Sequence, residues 1–333
     1  MKSTSLRLNT VIILLLLLLS GSIVAAMYGN GTISFADIAA VLTGKCENQT
    51  LKIIVMELRL PRLIAALLCG GALGIAGAIL QSVLHNPMAA PDLLGISAGG
   101  GCAGLAVMLW FPALLPLRGA AVFAGALAVT LMIFAAGRNY RFSPLRLILA
   151  GVALSALFGT VSTAMLIMES ERYGAVFNFL LGGFSGISIY ELKIFTPGLL
   201  LAIVLPMLMR KKLDILALGD ECAATLGISV SRTRIAALSL AALGSASAAG
   251  CAGLLSFAGL IAPHTVRLLG KSGSNRFVLP ASGIAGAFLV TLSDCLGQFL
   301  APEAAELPAG IFLSGFGALF FILLLTTRHK EEM

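Results

Sequence analysis

Several ionisable side chains sit where the surrounding residues are almost wholly apolar. Asp294 lies late in one apolar run, and Glu306 stands two residues before Pro308 at the start of another. Carboxyls placed like this are functional candidates by default, although Asp294 reads more readily as a helix cross-link near an interface. Arg59 and Arg62 are three residues apart around Pro61, which can open a helix because its missing N–H would be unpaired there anyway. They suit either snorkelling anchors or a cationic site for an acidic partner. Pro263, His264 and Arg267 form a second polar group, in which a lone histidine reads as hydrogen-bonded structure before it reads as a metal ligand. Gly270-Lys271-Ser272 has the ending of a phosphate loop, but Thr265 stands where that loop needs glycine, so no nucleotide site is expected. Cysteines 46, 69, 102, 222, 251 and 295 show no C-x-x-C spacing, so neither a zinc site nor a disulfide framework is expected. H-E-x-x-H and paired aspartate-rich motifs are also missing from the sequence, which removes the metal ligands of intramembrane proteolysis and prenyl transfer. No catalytic set, metal or cofactor emerges, and any ATP hydrolysis belongs to another chain.

The elements that must position these groups follow from composition. Of 333 residues, 59% are hydrophobic and 11% charged, against roughly 45–50% and about 25% in soluble domains. So little charge cannot cover a water-soluble body of this size, so lipid is the solvent for most of the surface. The apolar runs are helix-length, and we expect an all-α polytopic chain forming a single transmembrane domain, 1–333. Ten spans are expected near 11–28, 62–84, 93–111, 119–137, 144–168, 192–209, 232–250, 253–269, 277–297 and 308–326. The seventh and eighth share so few residues that one must be short or broken near Gly250 and Gly253. With ten spans, fifteen Lys and Arg fall on the side of both termini and seven on the other, which puts both ends in the cytoplasm. A signal peptide over 11–28 is the minority reading. The stretch 210–234 is too acidic at Asp214, Asp220 and Glu221 to cross lipid. It reads equally as a surface-lying loop or as a docking surface built of one or two short helices, about 213–229, joined near Gly219.

Four blocks in order resemble the FecCD-type permease subunits of iron-siderophore, haem and vitamin B12 ABC importers. They are RLPR at 59–62, HNPMAAPDLLGIS at 85–97, LALGDECAATLGIS at 216–229 and SFAGLIAPHTVR at 256–267, with AELPAG at 305–310 opening the last span. Each is weak alone; their order and spacing over nearly the whole chain make the resemblance specific. It implies a type II ABC importer permease fold, paired with a second permease copy or paralogue around a central pathway. Two cytoplasmic ATPases, which carry the ATP and Mg, and an extracytoplasmic substrate-binding protein would complete the importer in a bacterial cytoplasmic membrane.

The resemblance also implies residue roles. Leu218, Gly219, Asp220, Glu221, Ala223, Leu226 and Gly227 would form the ATPase-coupling helices. Arg59 and Arg62 would face glutamates of the binding protein. Asn86, Pro87 and Met88 would narrow the pathway at a cytoplasmic gate, opposite Pro144 and Leu145. Pro263, His264, Arg267, Asp294, Glu306 and Pro308 would be structural. Three departures stand out: Met88 where the family usually has leucine, Gln298 where the B12-type permease has a docking arginine, and Pro144-Leu145 where its gate carries small hydroxyl residues. Arg172 or Lys193 could replace the missing docking charge. The implied function is alternating access with no chemistry on the cargo. Ferric siderophore is favoured as the commoner cargo, ahead of haem or cobalamin, then a bare-metal ABC permease, then a stand-alone secondary transporter.

Overall fold

A computed structural model describes residues 2–27, 33–138, 142–169, 173–301 and 306–328. Arg141, Arg172, His329 and Lys330 lie outside the described residues. The described chain is helical throughout, with fourteen α-helices: α1 Lys2–Met27, α2 Phe35–Leu42, α3 Gln49–Ile53, α4 Leu60–Val83, α5 Ile96–Trp110, α6 Arg118–Arg138 and α7 Pro144–Met168. There follow α8 Tyr173–Leu181, α9 Ile189–Leu216, α10 Asp220–Thr225, α11 Val230–Ala252, α12 Ala258–Gly270, α13 Asn275–Phe299 and α14 Ala309–Arg328. Each of the ten expected spans coincides with one of α1, α4–α7, α9 and α11–α14. Seven are long and apolar enough to cross a membrane; α5, α12 and α14 are shorter.

The centre of the bundle is α4, surrounded by α9, α11, α12 and α13. Its sequence, LCGGALGIAGAIL, carries no polar face because it has no exposed side to serve. Lipid tails are as apolar as leucine, so helices in a membrane gain by close packing of small residues, not by escaping water. Gly70 lies against the backbone of Gly286 and Gly77 against that of Gly259, leaving no room for a Cβ at either contact. By contrast α1 and α7 run along the outside with most of their leucines exposed.

The expected break between the seventh and eighth spans falls at Gly253–Phe257, and Gly250 remains inside α11. Gly253 (φ +76°) and Phe257 (φ +65°) both take left-handed backbone, which turns the chain sharply into α12. With 13 residues, α12 is about 20 Å long and cannot cross a hydrocarbon layer of about 30 Å. It is therefore the short span. The sixth span instead runs longer than expected. Leucine and lysine sustain the helix through Arg210–Lys212 to Leu216, where Gly219 (φ +110°) ends the run and α10 begins.

Short elements in the loops other than 210–234 were not expected. Ser34 and Asp37 form a reciprocal capping box that starts α2. Asn48 caps α3, and a π-helical turn at Ile54–Arg59 leads into α4. The nine residues of α8 are too few to cross lipid and read as loop in the sequence.

Placing a methyl group at the α4–α12 contact should be felt at once. Gly77→Ala should lower stability by about 1–3 kcal/mol through overpacking, seen as a reduced midpoint of thermal unfolding in detergent. Gly159→Ala on α7, with no atoms near its would-be Cβ, should leave the midpoint unchanged or raise it.

Candidate functional site

Polar side chains gather at the two ends of the bundle. Arg62 at the start of α4 and Gln81 near its end are 19 residues apart, about 28 Å along the axis.

At the Arg62 end, Pro61 fits the first turn of α4 and the next residue projects a guanidinium toward α13. Arg62 Nε and Nη2 donate to the two oxygens of Asp294 at 2.8 and 2.9 Å, and Nη1 donates to Glu306 at 2.8 Å. Gln298 Nε2, one turn beyond Asp294, donates to the same carboxylate at 2.8 Å. Asp294 is 5% exposed and Arg62 15%, so this fork is largely withdrawn from solvent. Arg59 Nη1 donates to the carbonyls of Ala26 and Met27 at 2.9 and 2.7 Å, where a cation complements the C-terminal end of α1. Both arginines proposed to meet a binding protein thus have partners inside the chain. Asp294 takes the cross-linking position that its residue context favoured, and Gln298 serves that cross-link.

Beside the fork is a cavity of about 530 Å³ bordered by Arg62, Glu306, Cys251, Arg118 and Glu191. Arg118 lies 3.6 Å from Glu191 and over the ring of Phe179. Sequence reading missed both, since each stands alone at a helix start. Glu306 lies in the loop ahead of α14. Burial raises its carboxyl, but the Arg62 guanidinium and the Ser185 hydroxyl override this and hold it below the usual glutamate range.

The opposite end brings together three of the sequence blocks. His85 (φ +49°) places Nε2 2.7 Å from the carbonyl oxygen of Leu216, so that nitrogen carries the proton and ties the 85–97 block to the end of α9. Asn86 Oδ1 accepts from the backbone N–H of Met88 at 2.9 Å, closing an Asx turn around Pro87. Asp214 on α9 accepts from Asn275 through the backbone N–H at 2.6 Å and Nδ2 at 2.9 Å, which caps the start of α13. Asn275 Oδ1 then accepts from Ser82 of α4 at 3.1 Å. Arg267 donates to Gln81 and to Ser82, while His264 meets the ring of Phe320 edge-on. Pro263 is buried within α12, and Pro308 immediately precedes α14. The acceptor that organises the 85–97 block is Asp92, which takes Ser97 Oγ at 2.6 Å and the N–H of Phe257 at 3.4 Å.

The coupling candidates divide by exposure. Leu218 and Leu226 are 65% and 59% exposed, and Glu221 and Gly227 are also at the surface. Ala223 faces inward and is fully buried. Gly219 and Gly227 (φ +80°) supply the left-handed backbone on either side of α10, the conformation that glycine adopts without strain. Asp220 is not a free charge. It accepts a bidentate grip from Arg234, whose side chain has no exposed surface. Sequence reading missed Arg234, counting it only among the loop charges.

Met88 is half-buried. Pro144 opens α7 and Leu145 points outward, followed on the same helix by exposed Leu149, Val152, Leu157 and Val161. These two candidate groups are linked through the 91–94 turn, whose Leu93 carbonyl and Leu94 Cα lie against Gly151 of α7.

Breaking the Arg62 fork should be costly because two carboxylates lose the guanidinium they share. Arg62→Leu should destabilise the protein by about 3–5 kcal/mol, and adding Asp294→Asn with Glu306→Gln should recover most of it, measured by thermal unfolding in detergent. The depressed Glu306 carboxyl contributes stability that is present above about pH 4.5 and lost as pH falls further through its lowered value. Glu306→Gln should therefore flatten the acid limb of a stability–pH profile and leave the neutral region's slope unchanged.

The chain matches the FecCD transport family over residues 12–327. It is 35% identical to the Fe(3+)-citrate import system permease protein YfmE of Bacillus subtilis, covering 86% of this chain and 85% of that one. It is 37% identical to the vitamin B12 import system permease protein BtuC of Vibrio cholerae over 84% of each, and 32% identical to the hemin transport system permease protein HmuU of Yersinia pestis over 98% and 97%. In fold it is similar to a chain from an inward-facing metal-chelate type ABC transporter, with a TM-score of 0.85 over 96% of this chain and 99% of the other at 23% identity. The sequence blocks, the ten helices and these relatives agree: this chain belongs to the FecCD transport family.

Proposed function

We propose that this chain is the permease subunit of an ATP-driven importer for metal chelates, working by alternating access, with ATP hydrolysis on a separate chain. The observation that carries the reading is α10. Two exposed leucines, Leu218 and Leu226, flank a six-residue helix that is fixed from beneath by the Arg234–Asp220 pair and by the buried Ala223. An apolar pair held rigidly on a polar end of a membrane bundle suits a protein partner, here a cytoplasmic ATPase seated in an equivalent position on each of two permeases.

The rest of the assembly follows. An extracytoplasmic binding protein delivers cargo at the Arg62 end. Arg59 and Arg62 are engaged within the chain, so exposed Lys45, Lys52 and Lys193 at that end offer positive charge to it. The exposed apolar face of α7, with Leu145 at its head, faces a second permease across the pathway, and Asn86–Met88 narrow that pathway at the cytoplasmic side. Both termini are cytoplasmic and the membrane is the bacterial inner or plasma membrane. The relatives are named for ferric citrate, haem and B12. Ferric siderophore is the cargo we favour, and haem or cobalamin suits the same fold equally well.

The test is copurification of the tagged chain with its co-expressed ATPase. Leu218→Asp with Leu226→Asp removes two exposed side chains without touching the Asp220–Arg234 pair. ATPase recovery should fall about tenfold or more, while thermal stability of the permease is unchanged. A wild-type chain that retains no ATPase and still takes up cargo without ATP would make it a secondary transporter.

A further inference from the structure

The importer reading uses Arg234 only as a fixing point for α10. Arg234, near the start of α11, has no exposed surface, whereas its partner Asp220 is 46% exposed. Nη2 donates to one Asp220 oxygen at 2.6 Å and Nη1 to the other at 3.1 Å; Nη1 also donates to the backbone carbonyl of Phe142 at 3.0 Å. An arginine that served only a surface pair would keep its head in water, where such a pair contributes little. Here the guanidinium is drawn inside, and its second acceptor belongs to a residue in left-handed conformation. Phe142 has φ +56°, packs edge-on against Phe134 of α6 and closes over Gly137.

Three segments therefore meet on one side chain: α10, the base of α11, and the turn between α6 and α7. The turn matters because α7 begins two residues after Phe142, at the gate candidates Pro144 and Leu145. Further along, Gly151 of α7 rests on Leu93 and Leu94, in the turn that follows Asn86–Met88. Asp92 of that turn holds the N–H of Phe257 at the head of α12. A continuous set of contacts runs from the exposed helix to both halves of the candidate gate.

We infer that Arg234 is a positioning residue that passes a displacement of α10 to the start of α7, and so couples the ATPase-facing surface to the gate. The inference rests on the importer reading and adds a residue to it. The role needs a planar fork that grips a carboxylate on one side and a carbonyl on the other. An ammonium is a point charge and cannot hold both in that geometry.

The experiment uses the whole importer, with its ATPase and binding protein, reconstituted in liposomes. ATP hydrolysis and cargo uptake are measured together for wild type, Asp220→Asn and Arg234→Lys. A third variant inserts two glycines between Phe142 and Ser143, which leaves the Arg234 grip intact but slackens the connection to α7. In all three, cargo moved per ATP by the complexes that retain the ATPase should fall about tenfold, whatever their hydrolysis rate. A purely structural arginine would reduce yield and thermal stability but leave the uptake-to-hydrolysis ratio of the surviving complex at the wild-type value. That ratio, found in the glycine insertion or in both point variants, overturns the inference. Failure of the importer reading shows separately, as a wild-type chain that binds no ATPase.

Discussion

A guanidinium placed against a lipid-facing bundle must find acceptors inside the protein, and that constraint fixes the ends of this molecule. Arg62 collects α4, α13 and the approach to α14 through two carboxylates. Arg234 collects α10, α11 and the α6–α7 turn. Arg267 ties α12 to α4 through Gln81 and Ser82. Each fork has several donors at fixed angles, so it specifies where helices end relative to one another, which apolar packing alone does poorly. Such pairs add little net stability compared with apolar replacements. Their contribution is register.

Between those ends the bundle is held differently. Gly70, Gly74 and Gly77 let α4 touch the backbones of α13 and α12, and Gly283 and Gly286 return the contact. Backbone contact allows little sliding, because any shift by one residue would bring a side chain onto a glycine surface. The bundle centre is thus stiff. The sharp left-handed turns at His85, Gly95, Gly253 and Phe257 sit where helices stop short, and α7 and α14 pack more loosely at the edge. Motion is most easily placed in these outer helices and turns, with α4 as the fixed frame.

Much of this was legible in the sequence, for reasons that differ by residue. Long apolar runs announce themselves, so a helix was found at each of the ten expected positions, and the crowding around Gly253 showed that one must be short. The ends were harder. Arg62 and Asp294 are 232 residues apart, and nothing in the local pattern of either says that they meet, so Arg62 read as a charge for a partner. Asp220 looked available for the same reason, because Arg234 resembled one more basic loop residue. The left-handed backbone at Phe257 is likewise invisible, since a bulky aromatic seldom adopts it. Short helices such as α8 and α2 fall below the length at which apolar content distinguishes helix from loop.

The distribution of charge also bears on how energy enters the cycle. Arg234 and Asp294 are buried charged side chains. They lie at opposite ends of the bundle, and each is already neutralised by a neighbour. A proton-driven carrier needs carboxyls within the membrane that change charge during the cycle. Asp294 instead accepts from Arg62 Nε and Nη2 as a fixed cross-link between α13 and α4. The polar network at the other end instead joins an exposed helix to the turns that precede α7 and α12. Force applied at α10 has a bonded route into the bundle. This arrangement suits mechanical drive applied by a partner at α10.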